Sequence, residues 1–541
     1  MTDINMLKAL SNNIVIDKDK CVYCGICVNT CILDNLRMKQ APCRTGCPLN
    51  VNVQGYVQQI ARGDDDAARK TLRFTMIFPE ILGRICPQPC EEVCHHGTVD
   101  GGPVAIRALK RYLTDGQKQK DIPLPKIAPD TGQSVAIVGS GPAGLNAAHD
   151  LRTKGHAVTI YEAASEPGGL MRWAVPEFRL PIEVLKREMS LLPRMDVDIK
   201  CGVKVGADVT IDQLKKDHDA VILAAGCGDF VKLRTKGKGL PGTYDGLPFL
   251  RSVREGKAPE LSGHVVVLGG GCVAVEAAQT SLRLGAKSAT IVCLEGEGEM
   301  PAFRWSQESA MAEGVNFEHG WGPVQFIEKK GRIAGVELKR CTSVKDKDGN
   351  FKPTYDADDT KKIKAKNVIV AIGQARDISC LQGKTGKSLG DKAEIKADPV
   401  TLQTADDKVF VAGDFFTGPT SVVKAMANGR EAAISVHRYL SGEHLAYGRT
   451  YAGPIETDFE IDTSRGSDAP RSTLPARPFE GMGCFNEVEK KLTKAAARKE
   501  AQRCMSCGEP FGEFRTCWFC LPCEVECPHQ ALWVEVPYLL R

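Results

Sequence analysis

Net charge, long apolar runs and low-complexity sequence are all scarce in this 541-residue chain. Basic and acidic residues nearly cancel, leaving a formal net charge of +4. Bulk charge therefore directs the chain neither to nucleic acid nor to an anionic membrane surface. The longest apolar stretches, VVVLGGG, VIVAIG and VILAAG, are strand-sized, which excludes direct membrane insertion through a helix of the usual length. The opening residues MTDINMLKAL lack the apolar centre of a secretory signal, so a cytoplasmic protein is expected. Solenoid repeats are absent as well.

What the chain has in quantity is glycine and cysteine. It holds 53 glycines and 22 cysteines with 43% hydrophobic residues, enough for roughly three or four domains. In a reducing compartment the thiols read as metal ligands rather than bridges. Fifteen of them flank two glycine-rich fingerprints, from Cys21 to Cys94 on one side and from Cys504 to Cys527 on the other.

The first fingerprint, Gly139-Ser-Gly141-Pro142-Ala143-Gly144, follows the apolar strand VAIV and precedes a helix-compatible run. Its first glycine permits a tight turn, the second lets backbone approach a pyrophosphate, and the third allows close helix packing. Glu162 ends the next strand and is placed to hold a ribose hydroxyl pair. Far downstream, KVFVAGDFFTGP puts Gly413 and Asp414 after another strand, with the aspartate suited to a ribityl hydroxyl. Two halves so far apart that both fit one extended dinucleotide favour FAD.

The second fingerprint is Gly269-Gly-Gly271-Cys272-Val273-Ala274 after the strand HVVVL. The strand that follows ends in Glu295, and LEGEGE around it contains no arginine. A carboxylate there bonds a ribose 2′-hydroxyl and repels a 2′-phosphate, so NAD(H) is expected in preference to NADP(H), unless Arg304 or a lysine folds back. Gly373, in the AIG turn after VIV, belongs to the same candidate site. Hydride transfer between two such cofactors needs alignment more than a protein acid or base. No catalytic residue is nominated, and His149, His156 and His437 read as satisfied structural residues.

Cys21-x2-Cys24-x2-Cys27-x3-Cys31 has ferredoxin spacing, in which three thiolates wrap one cubane and the fourth reaches another. Structural zinc normally takes ligand pairs separated by a longer loop. Cys43, Cys47, Cys86, Cys90 and Cys94 add a second set, giving two [4Fe-4S] clusters in this field. Cys504 and Cys507 precede the ferredoxin-like run Cys517, Cys520, Cys523, Cys527-Pro, which gives one or two more, the second needing Cys484 or a non-cysteine group. Spacing alone leaves the pairing open.

The expected architecture is α/β, with two nested doubly wound dinucleotide-binding domains. A helical iron–sulfur domain covers 1–125, the FAD domain 132–261 and 378–440, the NAD(P) domain 262–377, a linker and helix 441–500, and a ferredoxin-like segment 501–541.

CRTGCPLNVNVQGY, GRICPQPCEEVC, GSGPAGLNAA, EPGGLMRWAVPEFRLP, GGGCVAVEAAQTSLRLGA, EMPA and AGDFFTGPTSVVKAMANGREAA occur in that order over 41 to about 440. In them the chain resembles the small flavin-bearing subunit of bacterial glutamate synthase and the N-terminal half of dihydropyrimidine dehydrogenase. The resemblance implies FAD at the first site, including Gly169 and Leu170 of EPGGL, a nicotinamide at the second, and [4Fe-4S] clusters in the N-terminal domain. Where that family places a glutamate or glutamine ligand this chain has Lys110, and the ferredoxin-like runs at both ends are additions.

The function expected is an NADH:acceptor oxidoreductase subunit. It passes electrons between NAD(H), FAD and clusters, to or from a catalytic partner subunit or ferredoxin. The alternatives are an NADPH-dependent glutamate synthase small subunit and a flavin-based bifurcating transhydrogenase subunit. A pyridine nucleotide:disulfide reductase sets a cysteine pair against its flavin, and no Cys-x2-Cys lies between Cys94 and Cys504.

Overall fold

A computed structural model of the chain describes residues 13–32, 35–381, 389, 394–451, 453–464, 466–512, 517 and 520–535. They divide into two compact units. One comprises Ile122–Leu445 with Ala476–Glu489, and the other Met1–Asp121, Ala446–Pro475 and Lys490–Arg541.

The first unit holds two five-stranded parallel sheets. In one, the strand order is Val409–Val411, Ala220–Leu223, Ser134–Val138, Ala157–Glu162, Asp198–Cys201. In the other it is Asn316–His319, Ser288–Cys293, His264–Leu268, Asn367–Val370, Thr243–Asp245. Central strands of a parallel sheet are covered on both faces and therefore read as unbroken apolar runs rather than alternating ones. Val135, Ile137, Val265, Val267 and Ile291 are all fully buried, each contributing about 1.5–3 kcal/mol of transfer free energy.

The second sheet is nested inside the first, because Val409–Val411 returns to the first sheet after the whole of the second has formed. The two crossings lie side by side, Asp229–Phe230 pairing antiparallel with Gln374–Ala375. The second sheet thus begins earlier than the expected boundary at 261. Strand Thr243–Asp245 pairs with Asn367–Val370, and helix Gly246–Arg254 packs on helix Cys272–Arg283. A strand too short to show periodicity hid this edge. A three-stranded antiparallel sheet, Trp321–Lys329, Arg332–Lys345 and Phe351–Lys364, completes the unit.

The segment Ala476–Glu489 is held here by Arg283, which is fully buried. Its guanidinium forks onto Glu313 at 2.5 and 2.8 Å, stacks on Phe178 and Phe479, and donates to the Cys484 carbonyl at 2.8 Å. Cys484 therefore belongs to the nucleotide unit.

The other unit is built of short helices and two small sheets. Helices Val53–Arg62 and Asp65–Arg73 are capped by Asn52 and Asp64, which accept from Gly55 and Ala67 amides at 3.0 and 2.9 Å. Helix Lys494–Ala501 packs against Val53–Arg62 and Ile106–Thr114. Strand Ile14–Ile16 pairs antiparallel with Leu532–Val534, and Leu36–Lys39 lies between Ile455–Glu456 and Glu509–Gly512. The described residues of 501–541, expected as a separate piece after a 441–500 linker, are folded together with described residues of the N-terminal field. The fully buried Arg503 fastens it, donating to Glu500 and to the carbonyls of Gly101 and Gly102 at 2.7, 2.7 and 2.5 Å.

Candidate functional site

The two glycine loops are built alike. Gly139 has φ of 101°, and a Cβ there would stand 2.5 Å from the Ala224 carbonyl oxygen. A Cβ on Gly144 would stand 2.1 Å from the Gly139 oxygen, so only glycine lets the helix start this close to its strand. Gly141 and Gly271 face open space, with nothing within 4 Å of a Cβ. Each lies at the start of a twelve-residue helix, Pro142–Thr153 or Cys272–Arg283, whose first turn has no side-chain cap. Uncapped first-turn amides facing a gap fit the pyrophosphate of a dinucleotide.

Around the first loop, Glu162 accepts hydrogen bonds from the Ser140 amide at 2.9 Å, the Ser140 hydroxyl and the Ala164 amide at 2.8 Å. A Cβ on Gly169 would meet Gly141 Cα at 2.8 Å, which puts the Gly169-Leu170 turn directly against the loop. The late motif arrives at the same place. Helix Val422–Leu440 packs along Pro142–Thr153, and a Cβ on Gly413 would meet Ala143 Cβ at 2.5 Å. Asp414 follows, its Oδ1 accepting from the Thr420 hydroxyl at 2.6 Å, with burial raising its carboxyl above the usual range. The fold thus brings Gly139–Gly144, Glu162, Gly169 and Asp414 to one position, as an extended FAD requires.

In the second loop, a Cβ on Gly270 would lie 2.7 Å from Glu295 Oε2, so the carboxylate closes directly over the loop. Arg304 does not fold back. Its side chain is 92% exposed and engages Glu308 at 3.1 Å. Gly373 accepts from the Val231 amide at 3.1 Å beside the crossing strands. One carboxyl was not nominated from the sequence: burial pushes Glu276, on the Cys272–Arg283 helix, up to about 7 against the pull of Arg179. The histidines are satisfied, His156 by His437 at 2.9 Å and Thr131 at 2.8 Å, and His149 by Asp150 at 2.7 Å.

In the cysteine unit all fifteen candidate ligands are free thiols. Among the described residues no three His, Cys, Asp or Glu side chains are placed to hold a single metal ion. A cubane makes a different demand, one ligand at each of four irons, and the surroundings of these thiols fit it. A cavity is lined by Cys21, Cys24, Cys27 and Cys527 together with Pro510 and Leu532. Amides donate to sulfur at Cys21, Cys31 and Cys527, from Tyr23, Leu36 and Ala531 at 3.4, 3.4 and 3.3 Å. The fully buried Tyr56 hydroxyl makes no hydrogen bond among the described residues, and Cys90, Cys43, Cys47 and Glu91 lie near it. Burial pushes Cys43 and Cys90 well above their usual range as free thiols. Ligation removes that penalty by holding them as thiolates.

The pyridine nucleotide-disulphide oxidoreductase profile matches residues 133–429, the whole nested pair of nucleotide folds. The chain belongs to this family. The dihydropyrimidine dehydrogenase domain II, 4Fe-4S cluster profile matches residues 6–122. This oxidoreductase therefore joins an FAD- and NAD(P)-binding fold to a 4Fe-4S domain.

It is 33% identical over 502 residues to the NADP(+)-dependent formate dehydrogenase subunit beta of Moorella thermoacetica, covering 86% of this chain and 70% of the relative. It is 30% identical to the NADPH-Fe(3+) oxidoreductase subunit beta of Geobacter sulfurreducens, over 86% and 75% of the two chains. To the NAD-dependent dihydropyrimidine dehydrogenase subunit PreT of Salmonella typhimurium it is 31% identical, over 74% and 91%. These relatives are named as subunits of oxidoreductases, and their names divide between the two nicotinamide cofactors. Among the described residues no helix is long and apolar enough to cross a membrane.

Proposed function

We propose that this chain is the NADH-handling subunit of a heteromeric redox enzyme, moving electrons between NAD(H), FAD and [4Fe-4S] clusters. The exchange partner is a catalytic or electron-accepting subunit, or a ferredoxin. The observation that carries this reading is the pair of open glycine loops in one nested body, in a chain whose cysteine unit also bears fifteen free thiols. A bound flavin takes an electron pair from a reduced nicotinamide and hands electrons on singly. The protein's own part is positional. Gly139 to Gly144 and the first turn of the following helix hold one pyrophosphate, Glu162 a ribose, and Asp414 the ribityl chain. Gly269 to Ala274 hold the second pyrophosphate.

Glu295 sets the choice of nicotinamide. Its carboxylate over Gly270 bonds a 2′-hydroxyl and repels a 2′-phosphate, and Arg304 faces solvent instead of offsetting it. The division among relatives makes this residue, rather than family membership, the basis of the reading. Anaerobic titration with NADH and, separately, NADPH tests it through flavin bleaching. Bleaching at a lower NADH than NADPH concentration is expected. Preference for NADPH overturns the role of Glu295, and bleaching by neither overturns the enzyme reading for this chain.

A further inference from the structure

We infer that the fifteen thiols serve four clusters, three of which take ligands from both ends of the chain. Cys527 joins Cys21, Cys24 and Cys27; Cys31 joins Cys517, Cys520 and Cys523; Cys504 and Cys507 join Cys43 and Cys94. Cys47, Cys86 and Cys90 form the remaining, three-thiolate set. This deepens the proposed function and rests on its reading of the thiols as cluster ligands.

The ferredoxin-like runs are brought together by the pairing of Ile14–Ile16 with Leu532–Val534, in the register Ile14 to Val534 and Ile16 to Leu532. The ladder extends through Asp17 N–H to the Ala531 carbonyl at 2.7 Å and Glu535 N–H to the Asn13 carbonyl at 2.8 Å. Cys21, Cys27 and Cys523 share one buried core with Val28 and Leu532, and Cys31, Cys517 and Cys527 pack against it. The two runs repeat each other's geometry. After the second cysteine of each, Gly25 at φ 83° and Leu521 at φ 66° turn left-handed and start the short helices Ile26–Asn29 and Pro522–Val525, which pack together. A leucine in that conformation is strained, so its retention of the glycine's geometry reflects what the third cysteine's position requires. At the fourth cysteine of each run an amide four or five residues on donates to sulfur.

The crossing follows from which thiols meet. Cys527 lines the cavity with Cys21, Cys24 and Cys27, whereas Cys517, Cys520 and Cys523 do not. Cys523 lies near Cys31, Cys517 and Cys520, while Cys27 lies near Cys24, Cys21 and Cys527 ahead of Cys523.

The Cys504 to Cys507 loop is seated on the N-terminal helix Val53–Arg62. Gln54 donates to the Gly508 carbonyl and Ser506 hydroxyl at 2.7 and 2.9 Å and accepts from the Gly508 amide at 3.1 Å. Gln58 donates to the Cys504 carbonyl at 3.1 Å. Cys43 thereby lies near Cys504, Cys94 and Cys507, and also near Cys90 of the other set. Cys90 itself lies near Lys110, Cys86, Glu91 and Cys47. Lys110 is almost fully buried and stands where a fourth thiolate is missing. Tyr56 lies near members of both sets, Cys43 of one and Cys90 and Cys47 of the other.

The test is a cycle of multiple variants of the full chain, read by iron and acid-labile sulfide per flavin and by electron paramagnetic resonance of the reduced protein. Flavin content reports folding of the nucleotide unit and normalises the iron, and far-ultraviolet circular dichroism of each variant reports the helices of the cysteine unit. The parent chain should carry about 16 iron atoms and C21A/C24A about four fewer. Adding C527A to that pair should cost no further iron, and adding C31A about four more. In the same way C504A/C507A should lose about four, with C43A adding nothing and C47A about four. The reverse pattern, C527A costing iron and C31A none, overturns the crossing. A parent chain that binds no iron and sulfide under reconstitution overturns the cluster reading itself. Where alanine chains do not accumulate, C527S decides. It should shift a resonance line that is absent from C21S/C24S, and a shift surviving in that background overturns the assignment.

Discussion

The nucleotide unit and the cysteine unit solve the same problem, holding a large redox group, by opposite means. Each glycine loop is assembled within about a dozen consecutive residues, and its grip comes from backbone amides that a strand, a tight turn and a helix place automatically. The thiol sets are assembled from residues as far apart as Cys21 and Cys527, and their grip depends on how the chain ends are fastened. Local construction tolerates distant damage but not a local clash, whereas distributed construction should fail when a fastening residue far from any ligand is removed.

The sharpest break is expected at Gly144. A Cβ there falls 2.1 Å from backbone oxygen that cannot move without unseating the loop. Gly144→Val should lower flavin content at least about tenfold while iron content per chain is kept. Parallel flavin and iron assays check both halves of that statement, and loss of both would show that the units depend on each other for folding.

The converse break is at Arg503. It pairs with Glu500 at 2.7 Å where both are buried, and Glu500 also accepts from the Ala105 and Ser472 amides at 2.8 and 2.7 Å. Arg503→Met leaves the buried Glu500 carboxylate without its counter-charge and takes one donor each from the Gly101 and Gly102 carbonyls, a loss of about 3–5 kcal/mol. Denaturant titration should show the cluster chromophore released at lower concentration, with the flavin midpoint unchanged. Equal shifts in both would mean that the fastening is not confined to the cysteine unit.

The same contrast explains what was legible beforehand. The nested nucleotide folds, the two loops, Glu162 and Glu295 could be read because strand, turn and helix signals are contiguous there. The first edge of the inner sheet could not, since Thr243–Asp245 is three residues long and gains its identity only by pairing with Asn367–Val370. The thiols could be singled out as candidate ligands from their spacing, yet not grouped. Grouping depends on the pairing of Ile14–Ile16 with Leu532–Val534 and on Gln54 grasping Gly508, contacts with no local sequence signal. Glu276 was passed over because nothing in its neighbours marks this half-buried helix carboxyl as one that holds its proton.

Within the nucleotide unit the comparison narrows to its two carboxylates. Glu162 is bonded by Ser140 and Ala164 and serves the loop as well as a ligand, whereas Glu295 lies over Gly270. Glu295→Gln should keep the loop and weaken the repulsion of a 2′-phosphate. The ratio of NADPH to NADH affinity should rise about tenfold, measured by flavin reduction at limiting nucleotide. An unchanged ratio would assign the discrimination elsewhere.

The smallest expected effect concerns Glu276, whose carboxyl burial raises from its ordinary 4.5 to about 7. Between those values the unfolded chain has released this proton and the native chain still holds it. Native protein therefore binds more protons, and its stability falls as pH rises through that window, with the penalty complete above about pH 7. Glutamine keeps the shape and cannot ionise. Glu276→Gln should match or fall slightly below the parent near pH 5 and exceed it by about 1–2 kcal/mol at pH 8. Thermal midpoints of the nucleotide-free protein across that range are the check. A difference that stays constant with pH would place the proton elsewhere. Arg179 then becomes the informative partner: as the main opposing pull on this carboxyl, its replacement by methionine should widen the pH-dependent gap rather than abolish it.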